Sequence, residues 1–131
     1  MGGMIPEPIE TRTALLSLLE NNIVLLEEKP DAQIEIEDAK NTVNVIGKIH
    51  ASGNWAVLVD IRKMKSLTKE ARDYYGNNSI MRESSGCALL TESFFSKMLG
   101  NFFIGFSKPE FPARIFNSRE EAILWLKERI G

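Results

Sequence analysis

One cysteine, Cys87, and one histidine, His50, are all that this 131-residue chain offers to thiol and imidazole chemistry. A lone cysteine excludes an internal disulfide and any cysteine-rich zinc site, and a free thiol fits a reducing compartment. A lone histidine cannot build a histidine-rich metal centre, and no local motif places His50 beside Cys87, so neither a metal nor a catalytic site is expected. Excess charge is missing too: 16 Lys and Arg stand against 18 Asp and Glu, a net charge of -2. Such a balance does not favour a polyanion, and nucleic acid is set aside as a partner. No apolar run approaches the length of a membrane span. The opening MGGMIPEPIE lacks the basic end and apolar core of a secretory signal, and Pro6 stands where a myristoylation motif wants Ser or Thr. Together these absences lead us to expect a cytoplasmic protein without cofactors.

What remains is ordinary globular material. Apolar residues make up 44% and charged residues 26%, with only nine Gly and five Pro. A chain of this size buries roughly two thirds of the surface its unfolded form exposes, enough for one domain without staples. Residues 1–9 read as a leader, disordered or left from an expression tag, and residues 10–131 as the domain.

Two apolar runs, Thr11 to Leu19 and Ile23 to Glu28, flank Glu20-Asn21-Asn22 and predict a hairpin, because asparagine tolerates positive φ. From about Glu35 the period changes: Ala39, Val43, Ile46 and His50 recur at helical spacing until Ser52-Gly53-Asn54. Trp55 to Val59 and CALLT, residues 87–91, lack polar alternation, as strands covered on both faces do. Thr68, Ser93 and Ser118 are placed to cap the helices that follow them, Ser118 within a capping box with Glu121. ARIF, after Pro109 and Pro112, is the last strand. The order ββαβαβαβα predicts an α/β fold: an N-terminal antiparallel hairpin continuing into a mostly parallel five-stranded sheet with about four helices.

In that order, AVLVDIRKMKSLTKEAR, then CALLT and FNSREEAILWL, resemble the STAS fold of the anti-sigma-factor antagonists. They resemble more closely a compact bacterial branch whose ends carry F-x-x-x-E-E-A-x-x-W-L. The resemblance covers the chain after Glu10. It implies a regulatory module working through protein contacts, in which an Asp at a strand end precedes a helix opened by a phosphorylated serine. Asp60 matches the strand end, but the helix opens Thr68-Lys69-Glu70-Ala71, with lysine at the acceptor position and Ser66 and Thr68 as neighbouring hydroxyls. ESSG, residues 83–86, imitates the missing motif yet leads into a strand, where no helix N-terminus favours phosphate.

Two groups of residues are candidates for function. Asp60, Arg62, Lys63, Lys65, Ser66, Thr68, Lys69 and Arg72 gather at the carboxyl end of the central strand, where open α/β sheets bind ligands, and suit an anion or an acidic protein. The bland alternative is a solvated loop. Phe94, Phe95, Met98, Leu99, Phe102, Phe103 and Phe106 form two adjacent helical stripes, wider than a helix on a sheet requires. That surplus suits a homodimer surface, a pocket for an apolar, lipid-like molecule of the kind CRAL-TRIO domains carry on a similar sheet, or plain core. The carboxylates at Glu27-Glu28, Glu35-Glu37-Asp38 and Glu120-Glu121 read as strand ends and helix first turns with electrostatic reasons of their own. The expectation is a non-enzymatic module that binds a protein partner through residues 60–72, the alternative a carrier or sensor of a small apolar ligand.

Overall fold

The structure, a computed structural model, describes residues 7–50 and 53–131, with the side chains of Asn21, Phe102 and Phe106 outside that description. Residues 1–6 of the expected leader and Ser52 of the expected helix break lie outside it as well. In chain order the elements are β1 (Ile9–Glu10), β2 (Ala14–Leu19), β3 (Ile23–Glu28), β4 (Gln33–Ile34), α1 (Ile36–Ile49), β5 (Ala56–Asp60), β6 (Ser66–Leu67), α2 (Lys69–Asn77), α3 (Ser79–Arg82), β7 (Cys87–Leu90), α4 (Phe94–Phe102), β8 (Ala113–Phe116) and α5 (Arg119–Ile130). A π-helical turn, Phe103–Ser107, extends α4.

The expected hairpin forms, β2 reversing into β3 through a 3-10 turn that ends on Asn22 at φ 62. Parallel pairing then runs from β3 through β5 and β7 to β8, in the order β1-β2-β3-β5-β7-β8. The main sheet therefore has six strands where five are expected, because Ile9–Glu10 adds a two-residue edge against β2. A separate parallel ladder, β4 with β6, ties residues 33–34 to residues 66–67. Among the described residues the helices number five, since Asn78 caps the short α3 by accepting from the Met81 amide at 2.8 Å.

The other helices begin where side chains satisfy their first amides. Glu35 and Asp38 form a reciprocal capping box on α1, and Thr68 accepts from the Ala71 amide at 3.1 Å on α2. Ser93 and Ser96 do the same for α4, and Ser118 accepts from the Glu121 amide at 3.3 Å, one half of the expected box. Asp38 also takes the Arg12 guanidinium, which holds its carboxyl below the usual carboxylate range and fastens α1 to the start of β2.

Strand alternation divides the core in two. Ile23 and Leu25 of β3 join Leu58, Ala88 and Leu90 beneath α5, which seals them with Ala122 and Leu126. Val24 and Leu26 point to the opposite face, where Val57, Val59 and Leu89 meet α1, α2, α3 and α4. One face thus carries four helices and the other carries α5. Leu126→Ala should cost about 2–5 kcal/mol in denaturant unfolding, because among the described residues no other helix covers that face. Leu124→Ala, on the solvent side of the same helix at 60% exposure, should change stability by less than about 0.5 kcal/mol.

Candidate functional site

The first candidate group sits where the parallel strands end. Asp60 is the last residue of β5, and Arg62 folds back on it: Nε donates to Oδ1 at 3.0 Å, Nη2 to Oδ2 at 2.8 Å, and the Arg62 amide to Oδ1 at 3.0 Å. That pairing raises the Arg62 pKa and leaves the Asp60 carboxylate occupied. Buried Met64 anchors the loop between exposed Lys63 and Lys65, whose backbones join residues 31–32 through Asp31 N to Lys63 O and Lys65 N to Ala32 O, each 2.8 Å. Neither lysine has an ion pair among the described residues.

Ser66 lies in the β4–β6 ladder and Thr68 is the α2 cap, so the two hydroxyls occupy different settings. Lys69 pairs with Asp73 at 2.8 Å along the helix. Arg72 donates to Ser107 Oγ at 3.0 Å, and Ser107 donates to Asp73 at 2.9 Å, binding α2 to the π-helical turn. The eight residues are therefore split: Asp60 with Arg62; Thr68, Lys69 and Arg72 at the start of and along α2; Ser66 in the short ladder; and Lys63 with Lys65 exposed in the loop.

The aromatic group is split as well. Phe94, Phe95 and Met98 are 84%, 46% and 36% exposed, while Leu99 and Phe103 turn inward. Phe102 and Phe106 have side chains outside the description. Helix α4 sits close to the sheet, since a Cβ on Gly100 would meet Ile115 at 3.2 Å.

Beneath α4 lies a partly open cavity of about 50 Å³. Its walls are apolar, among them Leu26, Val59, Met81, Leu89, Leu99 and Phe103, but Glu28 and Tyr75 line it too. Glu28 is 8% exposed, and its Oε1 has no hydrogen-bond partner; nor has the equally buried Tyr75 hydroxyl. Thr42 Oγ1, also buried, lies near the Tyr75 hydroxyl without reaching hydrogen-bond geometry. Glu28 does end β3, as expected, but its carboxyl is buried in the core. Val24, Leu26 and Glu28 share one face of β3 at period two, and that alternation, followed one step further, would have placed the acid inside.

Burial, with Asp38 and Asp60 at longer range, pushes the Glu28 pKa up from 4.5 to about 8. Burial also raises Tyr75 well above the usual phenol value and Cys87, another wall residue, to about 12. At neutral pH all three are protonated and uncharged, and a thiol in that state is a poor nucleophile. Among the described residues no cluster of three or more His, Cys, Asp or Glu could hold a metal ion, and no helix is long and apolar enough to cross a membrane.

The folded protein keeps a proton on Glu28 that the unfolded chain has released between pH 4.5 and about 8. Stability conferred by this group therefore falls as pH rises through that window, by up to about 1.4 kcal/mol per pH unit. Glu28→Gln should abolish that slope, so urea titrations across the window should show variant and parent diverging until the curves become parallel above it.

Comparison with known proteins bears on fold and family. The curated proteins contain no match to the chain. Among solved structures, an uncharacterized DUF3478-family protein with a SpoIIAA-like fold from Shewanella loihica PV-4 aligns over 86% of this chain and 91% of its own, with a TM-score of 0.58 at 13% identity. A protein of unknown function from Arthrobacter sp. FB24 is 27% identical over 85% of this chain and 96% of its own, with a TM-score of 0.34. The fold is SpoIIAA-like, the architecture expected from the STAS resemblance. A family model described as a domain of unknown function, DUF7793, matches residues 17–130, and the chain belongs to that family.

Proposed function

We propose that the chain is a non-enzymatic, cytoplasmic regulatory module that binds another protein at the carboxyl edge of its parallel strands. The observation that carries this reading is the exposure of Phe94, Phe95 and Met98 at the start of α4, on the same sheet edge as Lys63 and Lys65. Asp60 pairs with Leu90, so the loops leaving β5 and β7 emerge side by side. Apolar anchors with a cationic rim suit a partner that offers carboxylates around an apolar contact. The STAS resemblance supports the same edge, since the helix opening after this strand is where an anti-sigma kinase acts on STAS proteins.

The cavity favours a second reading, carriage or sensing of a small apolar ligand. Native mass spectrometry before and after denaturation separates the two, because a carried molecule is released on unfolding and a protein partner is not hidden in the fold.

Phe94→Ser and the pair Lys63→Glu with Lys65→Glu should each leave stability within about 0.5 kcal/mol and abolish recovery of a specific protein complex. A complex that survives both sets of changes would sink the proposed face. If light scattering shows a dimer that Phe94→Ser converts to monomer, the partner is a second copy. Thr68→Ala should cost about 1 kcal/mol through loss of the α2 cap and leave binding intact. Cys87→Ser should likewise spare activity, and loss of function in a folded Cys87→Ser protein would contradict the non-enzymatic reading.

A further inference from the structure

The cavity beneath α4 contains an unusual pairing: two buried groups able to donate hydrogen bonds, a carboxyl and a phenol, in an otherwise apolar enclosure. Leaving such groups unpaired away from water is costly, so an occupant that accepts from them would be strongly favoured over an empty or hydrocarbon-filled space. We propose that this cavity is a binding site for a small, uncharged, apolar carbonyl compound, such as a ketone or ester, whose oxygen accepts hydrogen bonds from Glu28 and Tyr75 while its hydrocarbon part lies against Leu99 and Phe103.

The chemistry of the walls selects among head groups. A carbonyl oxygen has two lone pairs and no proton, so it complements two neutral donors. A carboxylate ligand would bring a charge into apolar surroundings with no cation facing it. An amine would require Glu28 to ionise and would form a buried ion pair, which at best offsets the desolvation of both charges. The surroundings keep Glu28 in its donating form. Asp38 and Asp60 act on it from a distance and are themselves held by Arg12 and Arg62. Tyr75 on α2 and Cys87 on β7 remain neutral, and the α3 and α4 parts of the wall, including Met81 and Leu99, carry no titratable group. About 50 Å³ seats the carbonyl and a short branch, so a longer chain must run out through the opening.

This inference rests on the ligand-carrying reading, for which it names the ligand class, and uses residues other than those of the partner face. The test uses the intact protein with methyl butyl ketone labelled with carbon-13 at its carbonyl. Controls are the alkene isostere in which CH₂ replaces the oxygen, hexanoate and hexylamine. Binding is followed by ligand-observed NMR and by the infrared carbonyl stretch. The ketone should bind, its stretch should shift to lower frequency, and the three controls should bind more weakly. Glu28→Leu and Tyr75→Phe should each weaken the ketone by about three- to tenfold, the size of one neutral hydrogen bond, and leave the alkene unaffected or tighter. Affinity should fall as pH rises through about 8, where Glu28 loses its donor proton, and Glu28→Gln, whose amide still donates, should bind without that pH dependence.

Leu99→Trp, which fills the space while leaving both donor residues unchanged, should abolish binding while the melting temperature holds or rises. Equal binding of ketone and alkene, an unshifted stretch, or undiminished binding by Leu99→Trp would overturn the proposal, as would no binding at millimolar ketone. Tighter binding of hexylamine would assign the site to a cation instead and equally overturn it. Changing Lys63 and Lys65 to Glu should leave ketone binding unchanged, so failure of the partner face and failure of the cavity remain distinguishable.

Discussion

Four parallel strands laid side by side in one direction, β3, β5, β7 and β8, leave a right-handed connection only one face on which to travel. Each return from a strand end to the next strand start must cross that face, so α1, α2, α3 and α4 crowd there together. These helices differ in length and α3 is a single turn, so they do not tile the sheet evenly. The cavity lies where α2, α3 and α4 meet over β3, β5 and β7. The same rule sends every loop that follows a parallel strand to one edge, which is why the lysines after β5 and the phenylalanines after β7 lie at the same edge of the sheet though thirty residues apart in sequence.

Electrostatics then sorts the groups that topology has gathered. A guanidinium two residues from a strand-end carboxylate closes on it and removes both from the pool of free charges. Lys63 and Lys65, without an ion pair among the described residues, stay in water, where a compact ammonium is best solvated. Glu28 is treated differently again: enclosed by apolar side chains, it avoids the cost of a buried charge by keeping its proton. The charged groups gathered at this edge thus fall into three electrostatic settings: paired, solvated and neutralised.

Much of the architecture was legible because it repeats a physical period. The unbroken apolar runs of β5 and β7 announced strands covered on both sides, and the capping residues Thr68, Ser93 and Ser118 marked helix starts correctly. The pieces that escaped are those too short to carry a period. Ile9–Glu10, Gln33–Ile34 and Ser66–Leu67 are two-residue strands whose pairing depends on what lies opposite, not on their own composition. The inward turn of Leu99 and Phe103 and the outward turn of Phe94 were implicit in the two stripes of α4, but periodicity does not say which stripe meets the sheet. Glu28 escaped for another reason: the alternation of β3 turns it inward, but acids at strand ends are usually solvated, and the helices that cover this one come from elsewhere in the chain.

The solitary position of α5 on its face has a consequence for folding. Until this helix docks, a chain that has formed the sheet and its four-helix side leaves Leu25, Leu58 and Leu90 without a cover. For that interval the partly folded protein presents a sticky, flat surface of the kind chaperones recognise and neighbouring chains adhere to.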